Sequence, residues 1–412
     1  MSIDHPDRRA RPRNRRAVIL AAAFEAFAHN GYHDTSMADI AEAVGITPAA
    51  LYRHFSNKQH LLGQCVLTGL DDALARLDAA SRSRNSRDAI LAALVQVALE
   101  RRGLPRLWQL EFRHLHERDR SAVLIRAARL TRHLRGTVRS RRPELSAADV
   151  ECLSWCALSV AVSPAYHRLE LPIPVAAQVL GAAMHAVIAT DLPTQPTHPL
   201  RAHGHSRFAD GTDLDRALRR ERIIAGAARL FTQHGFPNVS IHDIGVTAGI
   251  TGPGVYHYFD NKAELLDMIV RRHDEWIELL VAHAMTRSRS SHDAIATLTH
   301  NFVRFGADEP DLLAITVSET RHLPAAAEHR YRRVRQDGIA SWARMLGAAR
   351  PELAPPVTRM LIRAFTTVVI EAVRNPRLNR RTDLVELLVA VGHSIQSAPA
   401  GRKRPPRVIH RT

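Results

Sequence analysis

Ser36-Met-Ala-Asp-Ile-Ala-Glu-Ala-Val-Gly-Ile-Thr-Pro-Ala-Ala-Leu-Tyr-Arg-His-Phe-Ser-Asn-Lys58 recurs 204 residues later as Ser240-Ile-His-Asp-Ile-Gly-Val-Thr-Ala-Gly-Ile-Thr-Gly-Pro-Gly-Val-Tyr-His-Tyr-Phe-Asp-Asn-Lys262. The apolar positions keep helical spacing: Met37, Ile40 and Val44 in the first copy, Ile241, Ile244 and Ala248 in the second. Gly45 and Gly249 end that short helix. Ser36 and Ser240 stand where its N-cap belongs. Thr47 and Thr251 are the next N-cap candidates, with Pro48 at the first helical position of copy one, where proline costs little. Leu51 and Phe55, matched by Val255 and Phe259, anchor this next helix inward. A short helix, a glycine turn and a second short helix make a helix-turn-helix. No segment alternates with period two, so a strand reading fails.

Upstream, Ile19, Ala23 and Phe27 form one helical stripe, repeated as Ile223, Ala227 and Phe231, and Gly31 and Gly235 end those helices. Residues 19–62 align without gaps to 223–266, with seventeen of 44 positions identical. Weaker echoes follow. Asp88-Ala-Ile returns as Asp293-Ala-Ile, Arg113-His-Leu as Arg321-His-Leu, and Arg142-Pro-Glu-Leu as Arg350-Pro-Glu-Leu. The duplicated unit is therefore about 200 residues, too long for a solenoid element and long enough for a complete fold.

The expected architecture is all-α, two tandem units. Residues 17–62 are a first helix-turn-helix domain and 63–190 a first helical regulatory domain. Residues 214–266 and 267–396 repeat that pair. Residues 1–16, with six Arg and Pro12, read as a flexible basic arm. Residues 191–213, with Pro193, Pro196 and Pro199, read as a linker, and 397–412 as a basic disordered tail. Arg11–Arg16 before Ala17-Val-Ile-Leu imitates a signal peptide, but Glu25 interrupts it and a similar segment recurs deep in the chain.

The chain has 412 residues, a formal charge of +16 and only three Cys. Forty-five per cent hydrophobic content is ordinary globular composition. The charge favours a polyanion partner, and the few Cys a reducing, cytoplasmic setting without disulfides. Aromatics at 5% argue against a single-strand binder built on stacking platforms. No apolar run reaches the ~18 residues of a membrane span.

Both blocks resemble the DNA-binding region of TetR/AcrR-family transcriptional regulators, over about 45 residues per copy. The resemblance implies an all-α, Ω-shaped homodimer that binds operator DNA and releases it when a small ligand fills the C-terminal domain. Here two subunits share one chain, so an internal pseudo-dimer is expected, joined through about 150–190 and 356–396, with chain-to-chain dimerisation the alternative. The third helix of each copy should meet the major groove. Its candidates are Thr47, Pro48, Ala49 and Arg53, with Ala50 beside them, and Thr251, Gly252, Gly254 and His257, with Pro253. Thr47 is an N-cap in either case. The glycines of copy two should read less sequence and approach the DNA backbone more closely. Ser36 and Ser240 complete the set, and Tyr52, His54, Lys58, Tyr256 and Lys262 resemble family phosphate contacts. Only three lysines accompany 54 arginines, and two share one repeat position. A phosphate clamp explains that, and so does common descent. The basic arm either follows the minor groove or is merely solvated.

The regulatory domains are less readable. Trp108, Phe112, His114, His116 and His322 are candidate liners of a cavity for a small hydrophobic effector. Cys152 and Cys156 read as reduced core cysteines rather than a zinc site, and His203 and His205 are a weak metal signal. No metal or cofactor is expected. The leading function is a ligand-responsive, sequence-specific regulator, a repressor by expectation, on an imperfectly palindromic operator. A sequence-blind architectural DNA protein is the alternative. A helical enzyme ranks lower, since no phosphate loop, paired metal motif or nucleophile elbow appears.

Overall fold

A computed structural model describes residues 12–193 and 212–399, which hold eighteen α-helices and no strand. They divide into two compact units. One runs to Leu145 and adds 164–169; the other takes 146–163 and everything from Glu170 onward. No helix among the described residues is long and apolar enough to cross a membrane.

The first unit opens with α1 (Pro12–Asn30), α2 (Met37–Ala43) and α3 (Pro48–Tyr52), the first head. Then come α4 (Lys58–Ser81), α5 (Ser86–Glu100), α6 (Gly103–Glu111) with a 3-10 turn at Phe112–His114, and α7 (Glu117–Arg141). Ile19, Phe27, Ile40, Leu51 and Phe55 are fully or almost fully buried in one cluster. Each contributes roughly 1.5–3 kcal/mol by leaving water. Leu104, Leu107, Leu115 and Val123 belong to the same cluster. The head core therefore does not stop near residue 62, where the sequence motif ends.

Helix α1 begins at Pro12, so residues 12–16 are helical rather than a flexible arm. Proline is tolerated in a first turn, and arginine is a good helix former. Arg16 also has work there: it donates to Gln64 Oε1 (2.9 Å) and lies 5.1 Å from the Phe55 ring centroid. Residues 1–11 lie outside the described residues, as do 194–211, with His203 and His205, and 400–412. Thr212 and Asp213, at the end of the expected linker, already open a helix.

The second unit repeats the plan. Its head is α10 (Thr212–His234), α11 (Ile241–Ala248) and α12 (Gly252–Val255), reached through a 3-10 turn at Phe236–Asn238. Helices α13 (Lys262–Arg287), α14 (Ser291–Asp308), α15 (Pro310–Ser318) and α16 (Ala325–Ala349) follow, with a 3-10 turn at Thr320–His322. This unit also contains the last two helices of each copy: α8 (Ala147–Val162), α9 (Ile173–Ile188), α17 (Pro355–Arg374) and α18 (Leu384–Gln396). Helix α8 packs on α9 and α17, and α18 packs on α9 and α17. Val160, Val179, Val187, Leu361, Phe365 and Val391 are buried there. Cys152 and Cys156 are buried in α8 as free thiols. The rim carries ion pairs between copies: Arg381 to Asp149 (2.7 Å), and Arg359 and Arg363 to Glu170 (2.5 and 2.9 Å). Thr190 donates to Ser394 Oγ (2.9 Å).

Candidate nucleic-acid interface

Each helix-turn-helix is locked by reciprocal capping. Ser36 Oγ accepts from the Asp39 amide (3.0 Å), and Asp39 Oδ2 accepts from the Ser36 amide (2.9 Å). Ser240 and Asp243 repeat this at 3.1 and 2.9 Å. This is a capping box with Asp in place of Glu. These bonds hold both carboxyls below the usual aspartate range: chiefly the Ser36 amide for Asp39, chiefly the Ser240 hydroxyl for Asp243. Gly45 and Gly249 turn the chain with φ of 66° and 73°, a backbone that side chains resist. Thr47 and Thr251 then cap the next helix, each accepting at 3.2 Å from the amide three residues on.

Copy one consequently presents Thr47, Pro48, Ala49, Tyr52, Arg53 and His54 as one exposed face, with Ser36 exposed at the head of α2. Tyr52 is 51% exposed, a large ring left without a cover. In copy two Ser240, Thr251, Pro253, Tyr256 and His257 are exposed, but Gly252 is not. It is buried, and a Cβ there would meet His242 Cα at 3.2 Å. A Cβ on Gly245 would meet Gly252 N at 2.9 Å. The glycines of copy two thus let α11 and α12 approach each other. The expectation that they bring the helix closer to DNA is corrected for Gly252; Gly254 is only half-buried, beside its own cap Thr251. Four residues of Gly-Pro-Gly-Val also give a shorter helix than Pro-Ala-Ala-Leu-Tyr, as their helix propensities require.

The matched lysines serve the loop ahead of α2 and α11. Lys58 Nζ donates to Thr35 O (2.8 Å) and His33 O (3.4 Å), and sits 4.4 Å from the Tyr32 ring centroid. Lys262 Nζ donates to Phe236 O (2.6 Å) and Val239 O (2.8 Å), 4.4 Å from the Phe236 centroid. Burial pulls both ammoniums below the ordinary lysine value. Two of three donors on each are already committed to carbonyls, so these are loop clasps rather than free-standing phosphate clamps.

The proposed ligand residues are found in that same region. Trp108 and Phe112 pack against the head core. His114 stacks on Tyr32 (centroids 4.9 Å, 10°), and His322 stacks on Phe236 (5.3 Å, 17°). His116 caps α7 by accepting from the Arg118 amide. None of the five lines either of two matching clefts in the regulatory domains. One such cleft, about 520 Å³, lies among α4, α5 and α7 beside Asp78, Ile90, Arg129 and His133. Its counterpart, about 370 Å³, lies among α13, α14 and α16 beside Met285, Ala294, Arg344 and Met345. Residue types suggested a lined pocket; the fold uses those rings to join head and body. Tyr32, Phe236, Glu111 and Glu319 were missed at the sequence level. The recurrence of Arg113-His-Leu was the signal that pointed there.

The family model for bacterial regulatory proteins of the tetR family matches residues 19–65 and 223–269. The transcriptional regulator UidR of Escherichia coli (strain K12) is 43% identical over 61 residues, 15% of this chain and 31% of that protein. The probable transcriptional regulator ArpR of Pseudomonas putida is 41% identical over 75 residues, 18% of this chain and 35% of ArpR. The chain thus matches about a third of the length of these two relatives. BetI of Agrobacterium fabrum is 25% identical over 203 residues, 47% of this chain and 84% of BetI. A solved TetR-family regulator from Bordetella parapertussis is 18% identical, covering 44% of this chain and 95% of its own, at a TM-score of 0.41.

Proposed function

This chain belongs to the tetR family of bacterial regulatory proteins, with two of its units in tandem, and from that premise we propose a single-chain repressor that grips one asymmetric operator with two unlike heads. The observation that carries the reading is the doubled head. Two helix-turn-helix elements in one polypeptide keep the same caps and the same glycine turn while their exposed faces differ. Duplex DNA is the partner that matches such a face in a chain of +16 charge. Arg53 and His54 give copy one more donors than His257 gives copy two, so the first half-site is read more sharply. The packing of α8 and α9 against α17 and α18 supports a chain that supplies its own dimer interface. A small hydrophobic effector in a regulatory cleft weakens DNA binding by favouring a different head spacing.

The test begins with selection of duplexes from a random pool by the full chain, followed by footprinting. The expected site has two half-sites about one helical turn apart, or a multiple of it, that differ in sequence and stringency. Arg53→Ala relaxes only one of them, at roughly 1–3 kcal/mol. Equal binding to every duplex would favour the sequence-blind alternative. Two identical half-sites would remove the asymmetry.

A further inference from the structure

The repeated Glu-x-Arg-His-Leu segment, Glu111–Leu115 and Glu319–Leu323, has no part in the reading above, yet its histidine joins the same kind of stack in both copies. In copy one Lys58, Tyr32 and His114 form a continuous stack: ammonium over ring at 4.4 Å, ring over imidazole at 4.9 Å. His114 Nε2 then faces Glu111 Oε2 at 3.7 Å, and Glu111 is 3% exposed. In copy two Lys262, Phe236 and His322 stack at 4.4 and 5.3 Å. His322 Nε2 faces Glu319 Oε2 at 3.8 Å, and Glu319 is wholly buried. That carboxylate also accepts from the Phe236 amide (2.9 Å). In copy one, Gln59 at the start of α4 donates to the His114 carbonyl (2.8 Å).

We propose that His114 and His322 are positioning residues. Each imidazole is a ring through which the end of α6 or α15 holds the corner between the first and second helices of its head, and so sets the pose of the exposed face. Three features support this. The ring beneath the lysine changed from Tyr to Phe between copies, and the loop ahead of the cap went from His-Asp-Thr to Pro-Asn-Val, yet the stack persisted. A merely inherited contact has no reason to survive while its neighbours drift. The histidine ends a short helix whose apolar residues, Leu104 and Leu107 or Ile315, already lie in the head core, so a shift of that helix reaches the head through this turn. Finally, the lysine beneath the ring closes the very carbonyls that precede the Ser36 and Ser240 caps. Movement of the ring therefore bears on the capping box. The effect on DNA rests on the proposed DNA-binding function; the effect on the corner does not.

The experiment compares His322→Ala, His322→Phe and the matching His114 variants in the full chain. The first readout is amide hydrogen exchange at residues 235–244 and 31–40. The second is affinity for the duplex that the unaltered chain selects from a random pool. His322→Ala is expected to speed exchange at 235–244 about 2- to 30-fold, leaving 31–40 unchanged, and to weaken the duplex by a similar factor. His322→Phe, which keeps a stacking ring, is expected to restore most of both. Unchanged exchange and affinity in His322→Ala would overturn the proposal. So would a Phe variant as defective as the Ala variant, because the stack would then carry nothing. If no duplex is selected, the regulator reading fails, while the exchange arm still decides the joint.

Discussion

Along α4, copy one sets Gly63 and Gly69 against its neighbours: a Cβ at Gly63 would lie 2.8 Å from Asp119 Cγ, and one at Gly69 2.7 Å from Leu104 Cδ1. Along α13 the same two repeat positions carry Asp267 and His273. There Arg330 reaches from α16 to Asp267 (2.6 Å) and to Asp274 (3.3 Å), and Asp274 and His273 are both buried. Further along, Asp72 and Glu100 of copy one are held by Arg76 and Arg101 (Arg76 to Glu100, 2.6 Å; Arg101 to Asp72, 3.0 Å). In copy two those positions are Trp276 and Phe305, stacked with centroids 3.8 Å apart. The helix that leads out of each head is thus approached closely at two glycines in copy one, with ion pairs further along it, and is held in copy two by a half-buried Arg330 that pairs with Asp267 and the buried Asp274. The first solution is sensitive to added volume, the second to a lost partner.

The largest effect follows from that network. Arg330→Ala leaves Asp274 buried without its cation and should destabilise copy two by about 3–5 kcal/mol. Denaturant unfolding of variants that keep only Trp276 or only Trp342 of the four tryptophans reads it, while one that keeps only Trp108 reports copy one unchanged. Arg330→Met combined with Asp274→Leu should recover much of the loss, because an apolar pair of similar volume replaces a buried ion pair at little cost. A loss under about 1 kcal/mol for Arg330→Ala would mean that water, not the fold, satisfies these charges.

Next in size is Gly69→Ala. The added methyl meets a buried Leu104 and should cost about 1–3 kcal/mol, seen in the Trp108 signal. Its copy-two counterpart, His273→Ala, removes volume instead, beside Phe305 and Tyr331, whose rings lie 6.2 Å from the imidazole, and also removes the contact of Nδ1 with the buried Asp274 carboxylate (3.4 Å). If both substitutions gave the same signature, the two copies would share one packing logic after all.

These asymmetries mark where sequence reading stopped. The heads were legible because their information is local: Ser36, Gly45, Thr47 and Phe55 act within one or two turns, and the second copy repeats them in register. The four-helix contact of α8, α9, α17 and α18 was legible from apolar periodicity together with the family resemblance. The joint was not. Trp108, Phe112, His114 and His322 were recognisable as rings worth notice, but Tyr32 and Phe236, the partners of the two histidines, are far away along the chain, and no spacing rule connects them. Gly252 misled for a similar reason: a missing side chain states that something comes close, not whether it is DNA or His242 of the preceding helix.

A smaller effect tests the two short third helices. Thr47→Ala and Thr251→Ala each remove one cap bond, about 0.5–2 kcal/mol. Helix α3 keeps Pro48, Ala49 and Ala50, whereas α12 relies on Gly252, Pro253 and Gly254, so the loss should be larger in copy two. Hydrogen exchange at residues 254–259 against 50–55 measures it. Equal opening in both variants would show that packing of Phe55 and Phe259, not the cap, holds these helices.

The smallest effect concerns the rim of the four-helix contact, where Glu170 of copy one meets Arg359 and Arg363 of copy two. The hydrogen bond from Arg359 holds the Glu170 carboxyl below the usual glutamate range, although burial opposes it. At Asp149 burial pushes upward, and the Ser146 hydroxyl with Arg381 more than offsets it. A carboxyl whose folded value is depressed binds its proton more readily in the unfolded chain. The stability these pairs supply is therefore complete above the ordinary carboxylate value and is lost as pH falls through the lower, folded one. Acid should loosen α8 and α9 from α17 and α18 as Glu170 and Asp149 take up protons. Glu170→Gln should leave the stability at neutral pH little changed, since rim ion pairs contribute little, and should flatten the acid limb of exchange measured in α17. If Glu170→Gln leaves the acid limb as steep as before, the pH response belongs to Asp149 and Arg381 alone, and the Glu170 cluster is a crossing point that holds nothing.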